Sequence, residues 1–200
     1  CIDAQLALTF AKMYYNGDGV KKDIQKALEW YSKVETEGCI DAQLALTFAK
    51  MHYNGDGVKT DHKAAFVYFL TASVKGNADA TYHVGKCYQY GTGVKKDERM
   101  AYSTYYRLAE DGHAEAIFQV GMMHEMGTGI DQDDLAAAYQ YAKAANQGHI
   151  NAQYKLATLD YNRGSYTNAL TYFRLAANQG HQDAQQAVNR ICAYHKFISE

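Results

Sequence analysis

The ten-residue stretch YQYGTGVKKD at 88–97 constrains this chain most, because it recurs as YYNGDGVKKD at 14–23, HYNGDGVKTD at 52–61 and HEMGTGIDQD at 124–133. Each copy reads as the corner between two short helices. The first glycine (Gly17, Gly55, Gly91, Gly127) stands where the leading helix must stop, since only glycine turns left-handed there at little cost. An apolar plug follows at Val20, Val58, Val94 and Ile130. Next comes an Asp (Asp23, Asp61, Asp97, Asp133) suited to accept the orphan amide protons of the following helix. Four such corners at near-constant spacing predict an array of helical hairpins.

Aligning the copies extends the pattern over the whole chain. The glycines that close the second helices are Gly38, Gly76, Gly112, Gly148 and Gly180, at spacings of 38, 36, 36 and 32 residues. Residues 1–23 and 39–61 differ only at Tyr14/His52 and Lys22/Thr60, as expected of a recent duplication. The first helix of a unit carries apolar or small residues on one face of a 3.6-residue period: Leu6, Phe10, Ala11 and Tyr14; Leu44, Phe48, Ala49 and His52; Ala80, Val84, Gly85 and Tyr88; Ala116, Val120, Gly121 and His124. A mid-helix glycine costs about 1 kcal/mol against alanine, so Gly85 and Gly121 predict close approach of the paired helix. The second helix carries an Ala (Ala27, Ala65, Ala101, Ala137, Ala169) and, four residues on, an aromatic (Tyr31, Phe69, Tyr105, Tyr141, Phe173) that should interlock with the first. The fifth unit is four residues shorter between its helices, with Ser165 at the capping position. The reading is one repeat domain over 1–200, divided at 1–38, 39–76, 77–112, 113–148 and 149–180, with a capping helix at 181–200.

Composition agrees. A 48% hydrophobic sequence without proline suits an all-helical fold with glycine corners. A net charge of -2 gives no footprint for nucleic acid, and no apolar run approaches the ~20 residues of a membrane span. Cys1, Cys39, Cys87 and Cys192 include no close pair, which argues against a disulfide framework or a zinc site. Cys1 is the repeat equivalent of Cys39, so the sequence reads as cut at a repeat boundary, and the lack of a leader segment is uninformative. The first hairpin then presents an uncovered apolar side, through which self-association is expected.

These columns carry a resemblance. Ala80, Val84, Gly85, Tyr88, Gly91, Gly93, Val94, Asp97, Ala101, Tyr105 and Gly112 match the Sel1-like repeat position by position, and the pattern recurs four times. The resemblance implies an all-α fold: a right-handed superhelical solenoid of antiparallel helix pairs, related to the tetratricopeptide repeat. It implies a non-catalytic adaptor or scaffold that binds protein or peptide. A dedicated inhibitor, such as an immunity protein bound to one toxin, is an alternative use of the same family. So is a β-lactamase-like cysteine-rich branch, which carries a spaced cysteine pair in every repeat that this sequence lacks.

Other chemistry finds little support. The GDG and GTG corners lack the Gly-Lys-Ser/Thr signature of a phosphate loop, and no strand precedes them. They also misplace the sixth-position glycine of a calcium loop. HEMGT has no second histidine for a zinc helix. His113, His149 and His181 each follow a closing glycine, as a helix-start column would, while His52 and His124 fall in the tyrosine column and should be half-buried. No catalytic residue, metal site or cofactor is expected.

The expected interaction surface is the first-helix face opposite the core. Counting the leading core residue as zero, positions two, six and nine should cluster there. Resemblance to tetratricopeptide arrays implies that this face lines a concave groove. The sixth column begins Lys12, Lys50, Lys86, Met122; the ninth includes Tyr15, Tyr53 and Tyr161; the tenth includes Asn16, Asn54, Tyr90, Met126 and Asn162. Tyrosine gives contact area at low entropic cost, asparagine can pair with an extended backbone, and lysine can hold a carboxylate. The N-terminal part of the face should therefore prefer an acidic segment or a C-terminus, and Met122–Met126 should accept apolar side chains.

Overall fold

The computed structural model describes the backbone of residues 2–36 and 41–199, and the side chains of 5–34 and 41–193. Eleven helices account for the described residues, with no strand among them. One compact unit runs to Lys96 and holds α1 (Ile2–Asn16), α2 (Ile24–Thr36), α3 (Ala42–Asn54), α4 (His62–Val74) and α5 (Ala78–Tyr90). The other begins at Asp97 and holds α6 (Glu98–Glu110), α7 (Ala114–Met126), α8 (Asp134–Asn146), α9 (Ile150–Asn162), α10 (Tyr166–Asn178) and α11 (Gln182–Ser199). Within each unit, consecutive helices pack on one another, α2 on α3 through Tyr31 and Phe48.

The corners form as their residues dictate. Gly55, Gly91 and Gly127 end α3, α5 and α7 in the left-handed region. Asp61 then accepts the amides of Lys63 and Ala64 at 3.0 Å, Asp97 that of Met100 at 3.0 Å, and Asp133 those of Leu135 and Ala136 at 2.9 Å. Ser165 differs. It stands at the start of α10 but its hydroxyl caps no amide, because its ψ of 63° turns away from the extended geometry of the aspartate caps. The second glycine of the corner has its own steric role. A Cβ at Gly93 would collide with the His62 carbonyl, and one at Gly129 with the Glu98 carbonyl. Each corner thus abuts the first turn of the second helix before it, and only a residue without a side chain fits.

The first helices begin on a cap that changes identity along the sequence. Asp41 accepts from Leu44 at 2.6 Å and Asn77 from Ala80 at 2.8 Å. In the later units the cap is histidine, whose Nδ1 accepts the amide of Ala116, Ala152 or Ala184 at 3.1–3.2 Å. An Nδ1 that accepts a backbone N–H leaves the proton on Nε2, and His149 Nε2 lies 2.8 Å from Glu115 Oε2.

The core lies between the expected columns. Ala27, Ala65, Ala101 and Ala169 are fully buried, as are Phe69, Tyr105 and Tyr141. Removing each such aromatic from water contributes about 1.5–3 kcal/mol. Gly121 faces the second helix of its own hairpin: an added Cβ would lie 2.8 Å from Tyr141 Cε1 and 3.3 Å from Gln140 Cβ. Leu6 departs from its column at 55% exposed, while Leu44 is 1% exposed. Leu44 packs with Leu8, Ala11 and Tyr31 of the preceding hairpin, and no described hairpin precedes Leu6. Gly38, Cys1 and Cys39 lie outside the described residues.

Candidate protein-interaction face

In the unit that ends at Lys96, the lysine column is exposed at its first two members. Lys12 and Lys50 are exposed and Lys86 is half-buried. The ion pairs among the described residues involve none of the three. Tyr90 is 64% exposed beside them. The asparagines are engaged locally: Asn16 Nδ2 donates to Asp18 at 3.0 Å and Asn54 Nδ2 to Asp56 at 3.2 Å, within their own corners. Tyr15 and Tyr53 are half-buried and close the core from above. The Lys22 ammonium lies 5.6 Å from the Tyr15 ring centre.

Tyr53 also belongs to a node that joins three helices. Its ring centre lies 6.1 Å from Phe69 of α4 and 6.5 Å from His83 of α5, and His83 stacks on Phe69 at 4.5 Å. A recess of about 10 Å³ opens here, lined by Tyr53, His83, Lys86, Cys87, Tyr90 and Thr92. Burial holds the His83 imidazole below its ordinary value, and the charges of Lys86 and Lys50 push the same way, against Asp79. Both lysines therefore act on one imidazole. His83 stands at position three of its helix, a column that helical periodicity alone does not assign to the face.

The unit that begins at Asp97 fills the same columns differently. Met126 is 54% and Tyr161 44% exposed, Met122 is half-buried and Asn162 is exposed. Tyr161 meets Tyr166 edge-on at 5.2 Å. At position nine of α7, Glu125 accepts a hydrogen bond from Tyr141 and holds the Lys155 ammonium at 2.9 Å. Burial by itself would raise the Glu125 carboxyl, but the bonds from Tyr141 and Lys155 outweigh it and hold the group below its usual value. Burial, and then Glu125, push the Tyr141 phenol upward.

Position two does not belong to the face. Leu8, Leu46 and Phe118 are buried, and Phe118 stacks on His149 at 4.6 Å. The next hairpin covers this column: Leu46 packs with Ala80 and Val84, and Tyr154 stacks on His181 at 4.4 Å. At position three Thr47, His83 and Lys155 are half-buried.

Corner, cap and column now define the repeat, and the family comparison agrees with them. The Sel1 repeat model matches residues 2–33, 40–77, 78–113, 114–149 and 150–181. The protein belongs to the Sel1 repeat family. A Sel1 repeat protein from Oxalobacter formigenes is similar at 30% identity and a TM-score of 0.79, covering 94% of this chain and 78% of that one. A protective antigen of uropathogenic Escherichia coli strains, with the same repeat fold, is similar at 24% identity and a TM-score of 0.82. The match covers 94% of this chain but only 41% of that protein's length. An immunity protein from Pseudomonas aeruginosa is similar at 21% identity and a TM-score of 0.50, covering 88% of this chain and 68% of that one. No curated protein matches.

Within these Sel1 repeats Cys87 is buried and Cys192 exposed, both as free thiols. Among the described residues no cluster of metal-ligating side chains forms, and no helix is long and apolar enough to cross a membrane.

Proposed function

We propose that this Sel1 repeat protein is a non-catalytic protein-binding module, an adaptor or scaffold, and that its partner docks on the first-helix face. The observation that carries this reading is the row of Lys12, Lys50 and Lys86, without ion partners among the described residues and interleaved with the exposed Tyr90. A merely solvated face gains nothing from such aromatics, whereas an interface gains contact area and a charge preference. Tyr53 contributes an edge, and Met122, Met126, Tyr161 and Asn162 form the corresponding, more apolar surface from Asp97 onward. The asparagines of the corners, Asn16 and Asn54, frame the N-terminal surface.

A photo-reactive amino acid placed at Tyr90 or Met126 should crosslink a partner in the native host, while the same probe at Tyr139 on a second helix should not. Lys50→Glu with Lys86→Glu should abolish that capture and leave helical content and melting temperature unchanged. Capture that survives the reversal, or that is equal at Tyr139, moves the interface to the second helices or the corners.

A dedicated inhibitor is the second reading, supported by the fold shared with an immunity protein, although at 21% identity that likeness speaks for the fold alone. One stoichiometric partner, released by the same reversal, would distinguish it from an adaptor with several. Self-association through the first hairpin belongs to the same proposal, since Leu6 offers an apolar contact. Light scattering across a concentration series should show growth that Leu6→Glu suppresses.

A further inference from the structure

The node at Glu125 and the node at His83 are the same place in the repeat. Each joins position nine of a first helix, the aromatic of the second helix and position three of the next first helix. From Asp97 onward these residues are Glu125, Tyr141 and Lys155; before it they are Tyr53, Phe69 and His83. The later node contains its own carboxylate, set between a phenol and an ammonium. The earlier node is aromatic, with tyrosine rather than an acid at position nine and lysines beside it. The recess beside Tyr53 has Lys86 in its wall, and Lys50 acts on the same imidazole.

We propose that the recess lined by Tyr53, His83, Lys86 and Tyr90 seats one glutamate side chain of a partner protein, which supplies from outside the carboxylate that Glu125 supplies from within. The proposal rests on the docking face argued above. A volume of about 10 Å³ has room for one water-sized group. One carboxylate oxygen can enter it, which calls for a slim, flexible stem at the wall that Tyr53 and Tyr90 share with Lys86. Glutamate meets that demand, whereas a C-terminal carboxylate brings its own amide and α-carbon to the rim.

The seat takes up a proton. The groups that face His83 are Lys50 and Tyr53 from α3, Phe69 from α4, and Asp79, Tyr82, Lys86 and Cys87 from α5, with His62 beyond Tyr53. With no acid in the recess, burial and then the two lysines oppose protonation of the imidazole, against Asp79. A seated carboxylate reverses that field and favours the imidazolium. Binding should therefore tighten as pH falls below the ordinary histidine value of 6.5.

The test follows the His83 imidazole by NMR in the full-length protein, titrated with acetyl-Gly-Glu-Gly-amide, its glutamine counterpart, and acetyl-Gly-Gly-Gly as the free acid. The glutamate peptide alone should give saturable shifts at His83 and raise its titration midpoint by about half a unit or more. Lys50→Gln and Lys86→Gln should each weaken it by roughly five- to tenfold, with Lys59→Gln as an unaffected control. His83→Gln should retain binding, read on the Lys86 and Tyr90 signals, but lose the pH dependence. Equal shifts from the glutamine peptide, or none from any, overturn the seat. A stronger response to the free acid overturns the choice of glutamate in favour of a C-terminus. A protein that crosslinks a partner through Tyr90 while His83 ignores the glutamate peptide keeps the docking face and loses this inference.

Discussion

Tyr53, Phe69 and His83 before Lys96, and Glu125, Tyr141 and Lys155 after it, occupy one site of the repeat with two chemistries. The first trio is held by ring stacking, at 4.5 Å between His83 and Phe69. The second is held by a carboxylate between a buried phenol and an ammonium at 2.9 Å. The surrounding columns follow suit. Lys50 and Lys86 flank the aromatic node, and Met122 and Thr158 stand at the same column around the charged one. The backbone of a repeat thus leaves the chemistry of its face open, and three residues on three helices set it together.

The largest expected effect lies beneath the charged node. Gly121→Leu should destabilise the protein by about 1–3 kcal/mol through overpacking against Tyr141, measured by denaturant unfolding. Its counterpart Ala49 accommodates a methyl, so Ala49→Gly should cost only about 1 kcal/mol through helix propensity. A Gly121→Leu variant as stable as the parent would break the assignment of that helix contact.

Next comes the hydrogen bond itself. Tyr141→Phe should cost about 1–2 kcal/mol, because Glu125 loses a donor. Phe69→Tyr should destabilise on its own, its hydroxyl having no acid to meet. Adding Tyr53→Glu and His83→Lys should recover part of the loss, since the whole node has then been transplanted. Strictly additive energies in that mutant cycle would show that the two nodes are not equivalent.

A smaller contrast should appear with acid. The His83 pKa is depressed by folding, so its neutral form contributes stability that is present above the ordinary histidine value of 6.5 and is lost as pH falls below it. The Glu125 pKa is depressed too, but its contribution begins to fade only below the ordinary glutamate value of 4.5. Hydrogen exchange, corrected for intrinsic rates, should loosen α3 and α5 at a higher pH than α7 and α9, and His83→Gln should remove the difference. The same onset in both would contradict it.

The smallest effect is chemical. Burial pushes the Cys87 thiol up to about 11, while Cys192 is exposed. Thiol reagents at neutral pH should label Cys192 and spare Cys87 in peptide maps.

Much of the fold was legible because it is written locally. Gly91 and Asp97 announce a corner within seven residues, and Ala101 with Tyr105 announces a buried stripe within one helical turn. His149 fell where a helix-start column belongs, although its Nδ1 cap on the Ala152 amide could not be read from a residue that serves many purposes. The face was legible in part. Lys50, Tyr90 and Met126 stand toward water as the period requires, and Lys86 is half-buried. Asn16 and Asn54 were spoken for by Asp18 and Asp56 two residues on, a bond between exposed side chains that periodicity does not register. Leu46 and Phe118 turned inward because the following hairpin covers them.

By itself the sequence determined the hairpins, their corners and the columns that pack within each pair, since all of these depend on contacts between residues a few turns apart. Only the tertiary structure decided what those hairpins present. His83 meets Tyr53 across 30 residues of sequence and Lys155 meets Glu125 across the same interval, and no helical period connects such positions. Whether a lysine is neutralised, or left to act with an imidazole on a small recess, depends on which side chains three separate helices bring to one point. Neither the identity of the lysine nor its place in the repeat contains that information.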